Sequence, residues 1–252
     1  VSAAATTAGA PVAPAGPAPS RPHFCTTCAF ADACCSEGYD DAAVAHMQAL
    51  LVDDVQHYAE GDHIFREGEA FDAIAAVRAG TVKTYVLDRE GREQVLGFYL
   101  PGEVIGLNAI HPRSYPCNAV ALDTVVLCSF SFQRMSELAG TLPGLQSRLF
   151  RLLSEDIGKA ALLSGDYSAD ERMAAFLVAL SRRYARRGFS ATRFSLPMAR
   201  TDIANYLRLA PETVSRVLRR FRDEQLIEID RRELRLLQAG ELERLAGTIL
   251  RD

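Results

Sequence analysis

Between Arg200 and Arg219 the apolar residues keep a spacing that few local structures satisfy. Counting Arg200 as position 1, Ile203, Leu207, Leu209, Val214 and Val217 fall at positions 4, 8, 10, 15 and 18, and position 5 is the small Ala204. Two short helices that pack tightly, with one left free to enter a groove, need apolar residues at such positions and a small one where they touch most closely. The segment therefore reads as a helix-turn-helix. Position 9 is Arg208, where the turn favours glycine, because an L-residue takes left-handed backbone only at a cost. Pro211 suits the first turn of the second helix. Glu212, Ser215, Arg216 and Arg219 then lie on its outer face, opposite Val214, Val217 and Leu218. Arginine can donate a fork of hydrogen bonds to guanine, and a carboxylate can accept from cytosine, so these four are candidate DNA-reading residues. For Arg219 and Arg220 a merely solvated face is an equally good account.

The neighbouring segments support a winged helix. Helical patterns cover 169–186, 200–208 and 211–224, and two short β-prone runs, Leu226 to Ile229 and Leu234 to Leu237, flank a turn at Asp230-Arg231-Arg232. Residues 240–250 suit a last helix. Upstream, from Tyr58 to about Phe132, runs such as Val82 to Leu87 and Val95 to Leu100 alternate with Gly61, Gly68, Gly80, Gly91, Gly102 and Gly106. Many short strands with regular turns imply a small sandwich or barrel. Residues 143–165 read as one long helix, with Pro143 in its first turn. Leu145, Leu149, Leu152, Leu153, Ile157, Ala160 and Leu163 form one apolar stripe. Such a stripe packs either on the β domain of its own chain or as a seam between two chains.

Charge divides the chain as the motifs do. The whole carries −4, but residues 168–252 carry +5 and residues 1–167 carry −9. A basic C-terminal third suggests that only this third meets a polyanion. No stretch approaches the roughly 20 apolar residues needed to span a bilayer, and residues 1–22 read as an Ala/Pro-rich disordered tail rather than a signal peptide. A cytoplasmic location with reduced thiols is expected. Six cysteines are present, and Cys25, Cys28, Cys34 and Cys35 crowd one short segment. Reduced thiols at that spacing point to metal binding rather than a disulfide framework. From the cysteines alone, structural zinc stands first, with a thiol switch beside it. Histidine spacing and the lack of a nucleophile or phosphate-loop motif argue against an enzyme.

A glycine-punctuated β-roll, a long helix and a winged helix bearing Pro211-Glu212-Thr213-Val214-Ser215-Arg216 together resemble the CRP/FNR transcription regulators, over roughly residues 23–250. The fold class implied is α+β: an N-terminal cyclic-nucleotide-binding-like β-roll, a long dimerisation helix and a C-terminal winged helix-turn-helix. The corresponding division is a tail at 1–22, a Cys-rich segment at 23–38, the β-roll at 39–142, the helix at 143–166 and the winged helix at 167–252. The resemblance implies a homodimer, a palindromic DNA site with half-sites about one helical turn apart, and RNA polymerase as a protein partner. Leu149, Leu152, Leu153, Asp156, Ile157 and Ala160 are the candidate seam residues. The cyclic-nucleotide branch of the family carries Gly-Glu and Arg-Ser pairs; here Gly106-Leu107 and Pro116-Cys117 stand in their place, and Arg113-Ser114 comes three residues too early. A cyclic nucleotide is therefore not an expected ligand.

The spacing Cys-x2-Cys-x5-Cys of Cys25, Cys28 and Cys34 resembles the oxygen-sensing branch, as does Ser181 to Ser190. That branch implies Cys128 as a fourth, distant ligand and a [4Fe–4S] cluster as cofactor, which four thiolates suit. Cys35 and Cys117 lie outside the pattern. The implied mechanism couples two sites. Without oxygen, the N-terminal segment is held against the β-roll, the long helices pair, and the dimer binds sites like TTGAT-N4-ATCAA as an anaerobic activator; oxygen undoes this. A buried acid at the seam would penalise pairing: Asp156 is the candidate, and Ala160 stands where the best-known relatives carry an acid in one alignment. The alternatives are a family regulator sensing nitric oxide or a thiol oxidant, and a cyclic-nucleotide-binding module acting by protein contact.

Overall fold

The computed structural model describes residues 52–141, 143–161 and 165–250. Eight strands come first: β1 (Val52–Tyr58), β2 (His63–Phe65), β3 (Ala73–Ala79), β4 (Val82–Leu87), β5 (Glu93–Tyr99), β6 (Val104–Ile105), β7 (Asn118–Ala121) and β8 (Val125–Ser131). They pair antiparallel into two four-stranded sheets, in the orders β1-β8-β3-β6 and β2-β7-β4-β5. The turns obey local chemistry. Gly80 has φ +81° between β3 and β4, and a Cβ there would overlap the carbonyl of Thr124 and the carboxylate of Asp123. Only glycine fits that turn. Asp123 in turn accepts a hydrogen bond from the Thr81 amide at 2.8 Å.

Side chains alternate across each strand. On β8, Val125 and Leu127 are fully buried with Val77 and Val82. Cys128 and Phe130 share the opposite face, and they too are buried. Two helices close over this part of the molecule: α1 (Phe132–Thr141), which packs on β3 and β8, and α2 (Pro143–Ala161), which packs on α1. Their Met135, Leu145 and Leu152 join the same apolar cluster as Ile74, Ala76 and Phe130. Helix α1 falls within residues 39–142, the span expected for the β-roll; its ten residues are too few for periodicity to reveal.

The C-terminal part is built on α3 (Ala169–Arg186). A capping box opens it: the Ser168 hydroxyl accepts from the Glu171 amide, and the Glu171 carboxylate accepts from the Ser168 amide at 2.8 Å. Then come β9 (Arg193–Ser195), α4 (Arg200–Leu207), α5 (Pro211–Asp223), β10 (Ile227–Asp230), β11 (Glu233–Leu236) and α6 (Ala239–Ala246), followed by a 3₁₀ turn to Leu250. The wing is three-stranded, in the order β10-β11-β9; sequence patterning reveals only its hairpin. The architecture is the expected β-roll, long helix and winged helix. One feature differs from two self-contained domains: Val95 and Phe98 of β5 and Leu100 just after it lie in the core of the winged helix rather than in that of the β-roll. Among the described residues, no helix is long and apolar enough to cross a membrane.

Candidate nucleic-acid interface

Helices α4 and α5 pack through Ile203, Ala204, Leu207, Val214 and Val217, all nearly inaccessible to solvent. Burying these side chains holds α5 in place, at roughly 1.5–3 kcal/mol for each large aliphatic one. The turn between the helices passes through Arg208 at φ 56°, ψ 47°, the left-handed region. There the Leu209 amide donates to the Ala204 carbonyl at 2.8 Å and closes the end of α4. Pro211 occupies the first turn of α5, and the Ala210 carbonyl accepts from the Thr213 and Val214 amides.

Glu212, Ser215, Arg216 and Arg219 are all exposed on the outer face of α5. Two of them are engaged locally. The Ser215 hydroxyl donates to the Pro211 carbonyl at 3.0 Å, and the Arg216 guanidinium donates to the Thr213 hydroxyl at 3.1 Å. Both are weak, solvent-exposed bonds that a base edge can replace at little net cost. Arg220 instead pairs with Asp170 of α3, which turns it away from the reading face. Glu212 and Arg219 carry no ion pair among the described residues. The face therefore presents one carboxylate, one hydroxyl and two guanidinium groups to solvent, a donor and acceptor set suited to base edges in a major groove.

The other expected site residues are distributed as follows. Cys128 lies on β8, 6% exposed, with Val55 of β1 directly opposite in the sheet. Cys25, Cys28 and Cys34 lie outside the described residues, as does Cys35. Among the described residues no group of three or more His, Cys, Asp or Glu could hold a metal ion; the two cysteines there, Cys117 and Cys128, are both buried. Cys117 is buried, accepts a long hydrogen bond from the Asn108 side-chain Nδ2 at 3.5 Å, and has its thiol pushed up by burial. Leu107 is buried beside it in the same cluster. Arg113 has its guanidinium 5.6 Å from the ring centre of Phe132 on α1.

The candidate seam residues on α2 differ in exposure within the single chain. Leu152 is only 6% exposed within the single chain and belongs to the β-roll core. Leu149 and Leu153 are half-buried against that core, and Asp156 is half-buried. Ile157 and Ala160 lie within α2, but their side chains fall outside the described ones. Phe150, absent from the expected seam, is 61% exposed. The stripe is wide enough for two faces, and helical spacing alone does not say which one a second chain would meet.

Two family models match the chain: a cyclic nucleotide-binding domain over residues 55–141 and a Crp-like helix-turn-helix domain over residues 171–245. The transcriptional activator protein Anr of Pseudomonas protegens is 45% identical over 75% of this chain and 78% of its own length. This chain belongs to the CRP/FNR family of transcription regulators. The fumarate and nitrate reduction regulatory protein of Vibrio cholerae is 33% identical over 88% of this chain and 90% of its own. Among solved structures of this CRP/FNR family, FixK2 from Bradyrhizobium japonicum superposes with a TM-score of 0.71 at 30% identity, covering 79% of this chain and 99% of that one. As a CRP/FNR regulator the chain binds DNA through its helix-turn-helix, and dimerisation is typical of the family.

Proposed function

We propose that this protein is an oxygen-responsive transcription regulator in which the thiolates of Cys25, Cys28, Cys34 and Cys128 hold a [4Fe–4S] cluster. The observation that carries the reading is the position of Cys128. The chain leaves its Cys-rich segment and enters the β-roll as β1, and on that strand Val55 is paired with Cys128. A loop closed between Cys34 and Cys128 then spans the 20 residues up to Val55 rather than the 93 up to Cys128 itself, which lowers its entropic cost. The relatives named for fumarate and nitrate reduction support the same reading, since both compounds accept electrons when oxygen is absent. When bound, the cluster would supply chemistry that oxygen alters.

The rest follows from the chain's own residues. With a cluster bound, the N-terminal thiolates and Cys128 would together tie the Cys-rich segment to β8. That bracing favours pairing of α2 with a second α2 through Phe150, Leu153 and the residue one heptad beyond Phe150, Ile157. The dimer sets two α5 helices about one DNA turn apart on a TTGAT-N4-ATCAA-like palindrome. There Arg216 donates to guanine, Glu212 accepts from a base of the opposite strand, Ser215 meets a base edge, and Arg219 meets base or phosphate. The bound dimer acts on RNA polymerase in the cytoplasm. No cyclic nucleotide is needed: Leu107 and Cys117 supply neither a carboxylate for a ribose nor a cation for a phosphate.

The test is a set of single substitutions assayed without oxygen. Cys25→Ser, Cys28→Ser, Cys34→Ser and Cys128→Ser each abolish the chromophore and operator binding, because serine is a poorer iron ligand than thiolate. Cys35→Ser and Cys117→Ser leave both intact. A chromophore that survives Cys128→Ser, or a colourless zinc protein, rejects the proposal.

A further inference from the structure

The first helix of the reading unit is fastened to the β-roll. Lys83 of β4 is nearly inaccessible to solvent, and its ammonium donates to Glu93 of β5 at 2.7 Å and to Asp202 of α4 at 3.0 Å. One turn along α4, Asn205 lays its carboxamide on the backbone of β5. Its Oδ1 accepts from the Val95 amide at 2.7 Å, and its Nδ2 donates to the Glu93 carbonyl at 2.5 Å. β5 is the outermost strand of its sheet, and an edge strand offers just such an outward pair of donor and acceptor two residues apart. The carboxamide answers both, as the backbone of another strand would. Behind it, Phe98 of β5 packs edge-on to Tyr206 of α4, ring centres 5.3 Å apart.

These contacts leave the reading face free. Asp202, Asn205 and Tyr206 lie on α4 toward β4 and β5, whereas Glu212 and Arg216 stand exposed on α5. Because α4 and α5 share one close-packed core, the direction in which α4 is held is the direction in which α5 points. We infer that Lys83, Asp202 and Asn205 are positioning residues for DNA recognition: they hang the helix-turn-helix on the β4–β5 hairpin so that the two reading heads of a dimer reach both half-sites at once. The inference rests on the dimeric reading above. A winged helix hung loosely still docks on one half-site, but it loses the preset orientation that makes the second contact nearly intramolecular.

The experiment uses the full chain prepared without oxygen, a palindromic duplex and a duplex carrying one half-site. In Asn205→Ala, affinity for the palindrome falls about tenfold, while affinity for the half-site stays within about twofold. The Val95 amide, having lost its acceptor, exchanges its hydrogen faster. Asp202→Asn, which keeps the side-chain shape, carries the same comparison should Asn205→Ala fail to fold. Equal loss on both duplexes overturns the inference, because Asn205 then acts within the reading unit alone. Unchanged palindrome affinity overturns it as well. If the unaltered chain binds the palindrome no more tightly than the half-site, the dimeric reading fails, and Val95 exchange decides the docking by itself: acceleration in Asn205→Ala supports it, and no change rejects it.

Discussion

Arg208 illustrates how a single residue reports on local structure. Its place in the apolar pattern marked it as the turn of a helix-turn-helix, and it takes the left-handed conformation that the turn demands. The strain follows from its Cβ, so Arg208→Gly should stabilise the chain by about 1 kcal/mol, read as a shift in the urea midpoint with unchanged slope; a loss of stability would mean that the arginine side chain contributes more than its backbone costs. The exposure of Glu212, Ser215, Arg216 and Arg219 was also legible, because an apolar inner face at helical spacing defines the outer one. Their engagements were not. That Ser215 bonds back to Pro211 and Arg216 to Thr213 depends on rotamers that periodicity does not encode. Arg216→Ala should cost roughly 1–3 kcal/mol per half-site, confined to operators with the guanine in place. Equal loss on a guanine-substituted operator, with a shallower salt dependence, would make Arg216 a phosphate contact instead.

Helix α2 shows what an element conceals. Its leucines announce burial, but one stripe serves both the β-roll and any second chain, and residues Leu149 to Leu153 straddle the two faces. Packing separates them: Leu152 is interior, and Phe150 is 61% exposed. Leu152→Ala should therefore lower the unfolding free energy by about 2–5 kcal/mol through the cavity it leaves. Phe150→Glu should spare the fold of the single chain while weakening the dimer, since only pairing would bury the new charge. Sedimentation and thermal unfolding of both variants distinguish the effects; a dimer undisturbed by Phe150→Glu would move the seam to another face. Helix α1 and strand β9 escaped the sequence for a related reason. Each is short and makes sense only against partners far along the chain, Phe71 beside Phe132 in one case and β11 in the other.

On the scale of the whole molecule, the division into a β-roll and a winged helix was readable from glycine spacing and charge, but their junction was not. Nothing in Val82 to Leu87 marks Lys83 as the residue that meets Asp202, because the pairing spans more than a hundred positions. Burial works against the Lys83 ammonium, but its hydrogen bonds to Glu93 and Asp202 outweigh that and hold it above the ordinary value of 10.5. Its contribution to stability is therefore complete below 10.5 and is lost only as pH rises through the raised value in the folded chain. Interdomain docking, followed by Val95 amide protection, should not change across neutral pH; a transition near neutrality would show that another group controls it.

The central claim, that oxygen governs DNA binding through four thiolates, is tested most directly on the full chain purified without air. Iron and sulfide content and affinity for the palindrome are measured before and after exposure to oxygen. The account predicts a straw-brown protein with about four irons per chain, whose colour and operator affinity are lost in step on exposure. A colourless, zinc-bearing chain that binds the operator equally well with and without air would contradict it.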